Sequence, residues 1–178
     1  MLDLKPPDYR YCPFCGRKLE TKVEEGKERK YCGDWTYYPH VAMAVVAVII
    51  RKGKVLLVKR AKEPHIGTWM FPAGFIEFGE LPPEALAREV KEETGSEITN
   101  ASFLDIFQST DDYRSPGHLA IFYLVEIKER SGMITDREEN SDIGWFDIDS
   151  PPEIGWQSHQ EVMKRLQVEI KGEKDAGR

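Results

Sequence analysis

The sequence lacks a surplus of positive charge: 25 Lys and Arg stand against 31 Asp and Glu, a formal charge of −6. Non-specific attraction to nucleic acid or to an anionic membrane is therefore disfavoured, and neither is expected as a partner. It also lacks a long apolar run. The longest, "VAMAVVAVII" from Val41 to Ile50, falls well short of the roughly 20 residues of a membrane span. "MLDLKPPDYRYC" has no basic region followed by an apolar stretch, so no secretory signal is expected. Cysteine is scarce, and the three present cannot all pair with one another. With nothing marking export, a reducing cytoplasm is the expected compartment. No internal repeat is visible. At 178 residues, 40% hydrophobic and 31% charged, the chain suits one folded domain with a small appendage.

Composition changes sharply along the chain. Residues 1–38 are rich in Lys, Glu, Gly and Cys and too poor in apolar residues to build a core. Residues 39–170 carry the domain, and 171–178, "KGEKDAGR", read as a flexible tail. Within the domain, "HVAMAVVAVII" and "VLLVKRA" flank the turn "RKGK" as two strands rich in β-branched residues. "GTWMFPAGFIEFGE" is loop and short strand, because Pro72, Gly74 and Gly79 break any helix. "PPEALAREVKEET" is the first strong helix, with two prolines at its start and Gly95 after its end. "SFLDIFQS", "HLAIFYLVEI" and "IGWFDID" read as strands, and "SHQEVMKRLQVEI" as a second helix. The expected class is α/β or α+β, with a mixed sheet between helices.

The first helix is unusual for its acidity. Between Gly74 and Ile98 seven residues are Glu, although like charges at helical spacing repel. Glu89, Glu92 and Glu93 fall at i, i+3 and i+4 and share one face, beside the apolar stripe of Leu86 and Val90. A solvated helix face eased by Arg88 and Lys91 is one reading. The other is a site for a hard divalent cation, which takes several oxygen ligands. The spacing of the whole stretch bears on the choice. It runs Gly74, five residues, Glu80, seven residues, then Arg88-Glu89-Val90-Lys91-Glu92-Glu93-Thr94-Gly95. This resembles the box of the Nudix hydrolases, G-x5-E-x7-R-E-U-x-E-E-x-G-U with U a bulky apolar residue. Eight of its nine defined positions match; Ser96 stands at the last U, a packing position. Leu81 stands at the expected N-cap, where its lack of an acceptor costs about 1 kcal/mol unless Glu80 or Glu84 supplies one. The resemblance covers Val41 to Leu166.

That resemblance implies hydrolysis of a nucleoside diphosphate linked to another moiety, with Mg²⁺ or Mn²⁺ assisting attack by water on phosphorus. Carried onto this chain, Glu89 and Glu93 are the principal metal ligands and Glu92 a ligand for a further ion. Ala73 contributes its backbone carbonyl, Glu80 supports the site, and Arg88 holds the box carboxylates in place. The general base is either a box glutamate or a carboxylate on the later loop "TDREENSDIGW", where Glu138 and Glu139 are the candidates. After the box, "DDYRSPGHLAIFYLVEI" offers Arg114 to a phosphate and Tyr113 to a base or ribose. His65, His118 and His159 stand isolated and read as structural or exposed, and Trp69 and Trp145 as core.

Near the N-terminus, "YCPFCGRKLE" places Cys12 and Cys15 in the C-P-x-C-G form of a zinc knuckle, with Cys32-Gly33 following at the distance of a second knuckle. The partner position of Cys32, three residues earlier, holds Arg29. Structural Zn²⁺ takes four ligands, so His40 or Asp34 would have to complete the set. Zinc with a substitute ligand, a ribbon without metal, and a Cys12–Cys15 disulfide remain open. This layout resembles pyrophosphatases acting on ADP-ribose, NADH or FAD; the SQPWPFPxS-type stretch of the NADH-preferring branch is missing. ADP-ribose or a related dinucleotide is the expected small-molecule substrate, and a homodimer is compatible with the family. Two other classes stay in view: a nucleotide-sensing module that does not cleave, and a zinc-ribbon interaction factor.

Overall fold

A computed structural model of the chain describes residues 9–38, 40–128 and 138–176. The first three residues of the loop "TDREENSDIGW" and the last two of the expected tail lie outside the described residues. The chain forms two compact units, Met1–Val41 and Ala42–Arg178.

The first unit is an antiparallel meander of β1 (Glu20–Glu24), β2 (Lys27–Cys32) and β3 (Trp35–Tyr37). Its first hairpin turns on Glu25 and Gly26, both at positive φ (51° and 72°), the backbone a two-residue hairpin loop needs. Among its described apolar residues only Cys12, Leu19 and Tyr37 are buried. So small a core cannot supply much stability by itself.

The second unit is built around β4 (Met43–Arg51), whose residues from Ala44 to Ile49 are all buried. A strand covered on both faces has no polar side to show, which is why its sequence is a continuous apolar run. Alternation splits the run between two cores. Val45, Ala47 and Ile49 pack with Ala85, Leu86 and Val90 of helix α1 (Pro82–Thr94). Val46 and Val48 pack with Val162, Met163 and Leu166 of helix α2 (Gln157–Ala176). Around β4 lie β5 (Lys54–Arg60), β6 (Trp69–Met70), β7 (Ala73–Phe75), β8 (Glu97–Gln108), β9 (Leu119–Lys128) and β10 (Asn140–Asp147). The strand order is β10-β5-β4-β9-β8, with β6 beside β5 and β7 beside β4. Among the described strands only β4 and β9 pair in parallel, giving the mixed sheet between helices expected from the sequence.

Helix α1 keeps its expected bounds. Leu81 offers no side-chain acceptor, but Glu84 Oε2 accepts the Leu81 N–H at 2.8 Å, and prolines at the first two helical positions remove two N–H groups that would otherwise need partners. Gly95 ends the helix at φ 68°, its N–H donating to Lys91 O at 3.0 Å. Ser96 is buried, yet its N–H reaches Thr94 Oγ1 at 3.2 Å and its hydroxyl donates to Thr94 O at 3.5 Å, so a polar residue is satisfied where the box prefers an apolar one. Strand β8 starts at Glu97, five residues ahead of the expected Ser102, because pairing with β9 carries it through the polar "EITNA" by way of two register shifts. Helix α2 continues beyond residue 170 into the segment read as a tail.

Leu86 is fully enclosed between α1 and β4. Leu86→Ala should lower unfolding free energy by about 2–5 kcal/mol, measured by urea denaturation; a loss under about 1 kcal/mol would contradict this packing.

Candidate active site

The site begins as a problem of charge. Helical geometry puts Glu89, Glu92 and Glu93 on one turn, and burying Leu86 and Val90 against β4 drags that turn to the edge of the core. Arg88 answers part of the problem. Its Nε and Nη2 donate to the two oxygens of Glu80 at 2.8 and 2.9 Å, and its Nη1 donates to Glu89 Oε1 at 2.6 Å and Glu92 Oε2 at 3.2 Å. Nη2 also donates to Phe75 O at 3.0 Å, tying the helix to β7. The forked contact from Arg88 holds the Glu80 carboxyl down at about 2, and the Arg88 guanidinium is raised in turn.

Glu93 receives no such help. It is 2% exposed, and its oxygens accept from Ala73 N–H at 2.8 Å and from Asn140 Nδ2 at 2.6 Å. No cation pairs with it among the described residues. Burial, reinforced by the charges of Glu89 and Glu139, pushes its carboxyl up to about 8 against the pull of its two hydrogen bonds. Burial also raises Glu89. A carboxylate buried without a counter-charge is costly, and oxygen donors in such a setting suit Mg²⁺ or Mn²⁺. Backbone shape confirms how closely Glu89 is fitted. A Cβ at Gly74 would lie 1.9 Å from Glu89 Oε1, so only glycine leaves that carboxylate its place.

Asn140 is positioned by an irregularity. Strand β10 pairs with β5 through Asn140↔Arg60 and then Asp142↔Lys59, an extra residue that re-aims the side chain at the bulge. Glu93 lines a cavity of about 380 Å³ together with Ala73, Gly74, Phe75, Arg88, Glu89, Glu92, Glu139, Arg60, Arg114 and His159, and Asn140 acts on it through Glu93. Glu139 reaches it from the loop before β10, whereas Glu138 does not line it and lies 3.9 Å from Lys62.

The expected site residues are thus mostly brought together: Ala73, Arg88, Glu89, Glu92, Glu93, Glu139 and Arg114 share the cavity, with Glu80 behind Arg88. Tyr113 is 73% exposed and is not on the cavity wall. Arg114 is engaged by Asp112, with Nε to Oδ1 at 3.0 Å and Nη2 to Oδ2 at 2.9 Å. Asn140, Arg60 and His159 were not singled out as site residues by the sequence. Nothing local marks the first two; His159 was noticed as an isolated histidine, but its place at the cavity depends on α2 docking over the sheet.

In the N-terminal unit, ligand atoms of Cys12, Cys15 and Cys32 all lie within 4.8 Å of one another. The Cys15 and Cys32 sulfurs are 3.6 Å apart, and Arg17 Nε donates to Cys15 Sγ at 3.5 Å. That hydrogen bond brings the Cys15 thiol down to about 6, favouring thiolate, the form that binds metal. His40 and Asp34 are not in the cluster; His40 Nδ1 instead lies 3.4 Å from Tyr38 O.

Comparison with known proteins places these observations. The family model described as NUDIX domain matches residues 39–166. The ADP-ribose pyrophosphatase of Methanocaldococcus jannaschii is 30% identical over 151 residues, 84% of this chain and 85% of that protein. The NAD-capped RNA hydrolase NudC of Vibrio atlanticus is 30% identical over 149 residues, 82% of this chain but 52% of that protein; the chain spans about half its length. Among solved structures, a NUDIX hydrolase from Nitrosomonas europaea aligns with a TM-score of 0.68 at 22% identity, covering 90% of this chain and 92% of that one, a likeness of fold.

Gly74→Ala should weaken Mn²⁺ binding by ~10-fold or more while the thermal midpoint barely moves, because the atoms displaced are the end of the Glu89 side chain. Unchanged affinity in a Mn²⁺ titration would show that Glu89 is not a ligand.

Proposed function

The chain belongs to the Nudix family and is a Nudix pyrophosphohydrolase, and from that premise we propose that it cleaves ADP-ribose or a related dinucleotide at the diphosphate. The observation that carries this reading is Glu93: a carboxylate in no ion pair among the described residues, buried beside Glu89 at the wall of a cavity. The M. jannaschii relative, alike over most of both chains, is named for ADP-ribose.

In this reading Glu89, Glu92 and Glu93, with the Ala73 carbonyl, hold Mg²⁺ or Mn²⁺. When bound, the ion offsets phosphate charge and lowers the pKa of the attacking water. The protein does the rest. Arg88 fixes Glu89 and Glu92 relative to β7. Asn140 and the Ala73 N–H fix Glu93. Glu139, which reaches the cavity from a different element than the box, takes the proton of the attacking water. Water adds to one phosphorus and the bridging oxygen leaves with the other half, so ADP-ribose and water give AMP and ribose 5-phosphate. A homodimer fits this reading, and the substrate is a small nucleoside diphosphate derivative.

We further infer that Cys12, Cys15 and Cys32 hold one structural Zn²⁺. An ion there would lock a unit whose own core is slight. Purified protein should contain about one zinc per chain by elemental analysis; less than a tenth, with Cys12→Ser leaving the N-terminal unit as protease-resistant as before, would dismiss it.

A hydrolysis screen with added Mg²⁺ or Mn²⁺ should include ADP-ribose, NADH, FAD and, because the NudC relative is named for it, NAD-capped RNA. ADP-ribose is expected to be cleaved best, and Glu93→Gln to reduce kcat at least ~100-fold with the fold intact by circular dichroism. Tight binding of the panel without any turnover would mean a sensing module instead.

A further inference from the structure

Helix α1 covers its face of the sheet only in part. It packs on Val45, Ala47 and Ile49 of β4 and reaches β9 at Val125. Strand register carries the same face sideways. Ala47, Tyr123 and Phe103 stand in one row across β4, β9 and β8, and Val45, Ile121 and Ile106 in the next. Residues opposite one another in a ladder share a face, and the rings of Phe103 and Tyr123 meet edge to face at 6.4 Å, as that row requires. The outer end of each row lies open. Phe103 is 63% exposed, and Ile106 is exposed beside it, as is Met43 at the head of β4 on the same face. Leu104, the extra residue of the bulge between Phe103 and Asp105, is exposed as well.

This patch carries no charge. The two charged residues of β8 lie elsewhere: Glu97 stands opposite Lys128 at the far end of the ladder, and Asp105 stands in the row of Phe122, on the α2 face, where Arg165 holds it. Among the described residues β8 has a strand on one side only. Edge strands of soluble proteins are commonly guarded by lysine, proline or bulges, and of these β8 has only its two register shifts. The shifts bend the edge against the addition of another strand, so an occupant comes to the face. A strongly charged partner would find no complementary charge there, and nucleic acid or an anionic bilayer meets a chain of formal charge −6. A second copy meets neither objection. Two chains of like charge approach most closely where both are neutral, and an apolar surface without charges is complementary to itself, as a two-fold interface demands. Homodimer interfaces have this composition.

We propose that the chain forms a homodimer in which the open face of β8 and β9, centred on Phe103 and Ile106, packs on the same face of a second copy about a two-fold axis. Phe103, the largest exposed side chain of the patch, anchors each half. The exposed polar stretch of β8 just before it, Thr99–Ser102, supplies a hydrogen-bonding rim around the apolar centre. The two sheets then stack face to face, the arrangement in which side chains of both inner faces interdigitate. The inference goes beyond the hydrolase reading and uses none of its residues, so either can fail without the other.

Sedimentation velocity over a dilution series should find the wild-type protein at twice the 20.5 kDa of one chain. Phe103→Asp and Ile106→Lys should each raise the dimer dissociation constant by ~100-fold or more, with far-UV circular dichroism unchanged. Val168→Asp alters an exposed valine of α2 outside the patch and should keep the dissociation constant within ~3-fold of wild type. A wild-type protein that stays at the mass of one chain at every concentration overturns the proposal. So does a dimer that survives both patch substitutions, or one lost equally with Val168→Asp. If the charged variants do not fold, Phe103→Ser decides: a dissociation constant equal to wild type overturns the interface. A dimer that dissociates as expected in samples that hydrolyse no diphosphate supports the interface and sinks the hydrolase reading alone.

Discussion

Three carboxylates on one helical turn set the terms for everything around them. Two such charges about 5 Å apart repel by roughly 3 kcal/mol at an effective dielectric constant near 20, and no helix adopts that arrangement for its own stability. The structure meets the repulsion in two different ways. Arg88 neutralises the outer part, spreading one guanidinium over Glu80, Glu89 and Glu92. Glu93, the innermost, is hydrogen-bonded among the described residues to dipoles alone, an amide N–H and the Asn140 side chain. Dipoles orient a carboxylate without cancelling its charge. The fold thus fixes the oxygens in space and leaves the charge for something else to balance.

The same division explains what the sequence could and could not reveal. Everything that Arg88 does is local. Gly74, Glu80, Arg88, Glu89, Glu92 and Glu93 lie on one continuous stretch, so their intervals survive as a readable pattern and the helix bounds follow from its prolines and Gly95. What meets Glu93 from outside α1 is not local. Asn140 is 47 residues away in sequence, and His159 joins the wall through Phe71, 88 residues away. Periodicity within a segment carries no trace of such pairings. Arg60 was hidden for a related reason: it follows Lys59 at the end of an apolar strand, and it is the pairing of β5 with β10 and the packing of Trp156 that make that end a wall.

Arg114, expected from its loop after the box, does line the cavity, but its pairing was not legible: Asp112, two residues earlier and buried, takes its fork. Short-range loop pairings of this kind obey neither the helical nor the strand period. In the N-terminal unit the three cysteines were legible from their knuckle spacing, and the chain gathers their sulfurs; His40, a substitute without that spacing, is not in the cluster.

One structural irregularity links these long-range parts. The register shift between Asn140 and Asp142 keeps Asn140 opposite Arg60 at the end of the β5–β10 ladder, so a single bulge sets both the donor that grips Glu93 and the neighbour that faces the cavity as a cation. In a chain with a formal charge of −6, an anionic substrate approaches against the net field. The few uncommitted donors inside the cavity must therefore do the local work of holding it. Arg60 on β5 and His159 on α2 bring such donors to the cavity wall from elements other than the acidic helix α1.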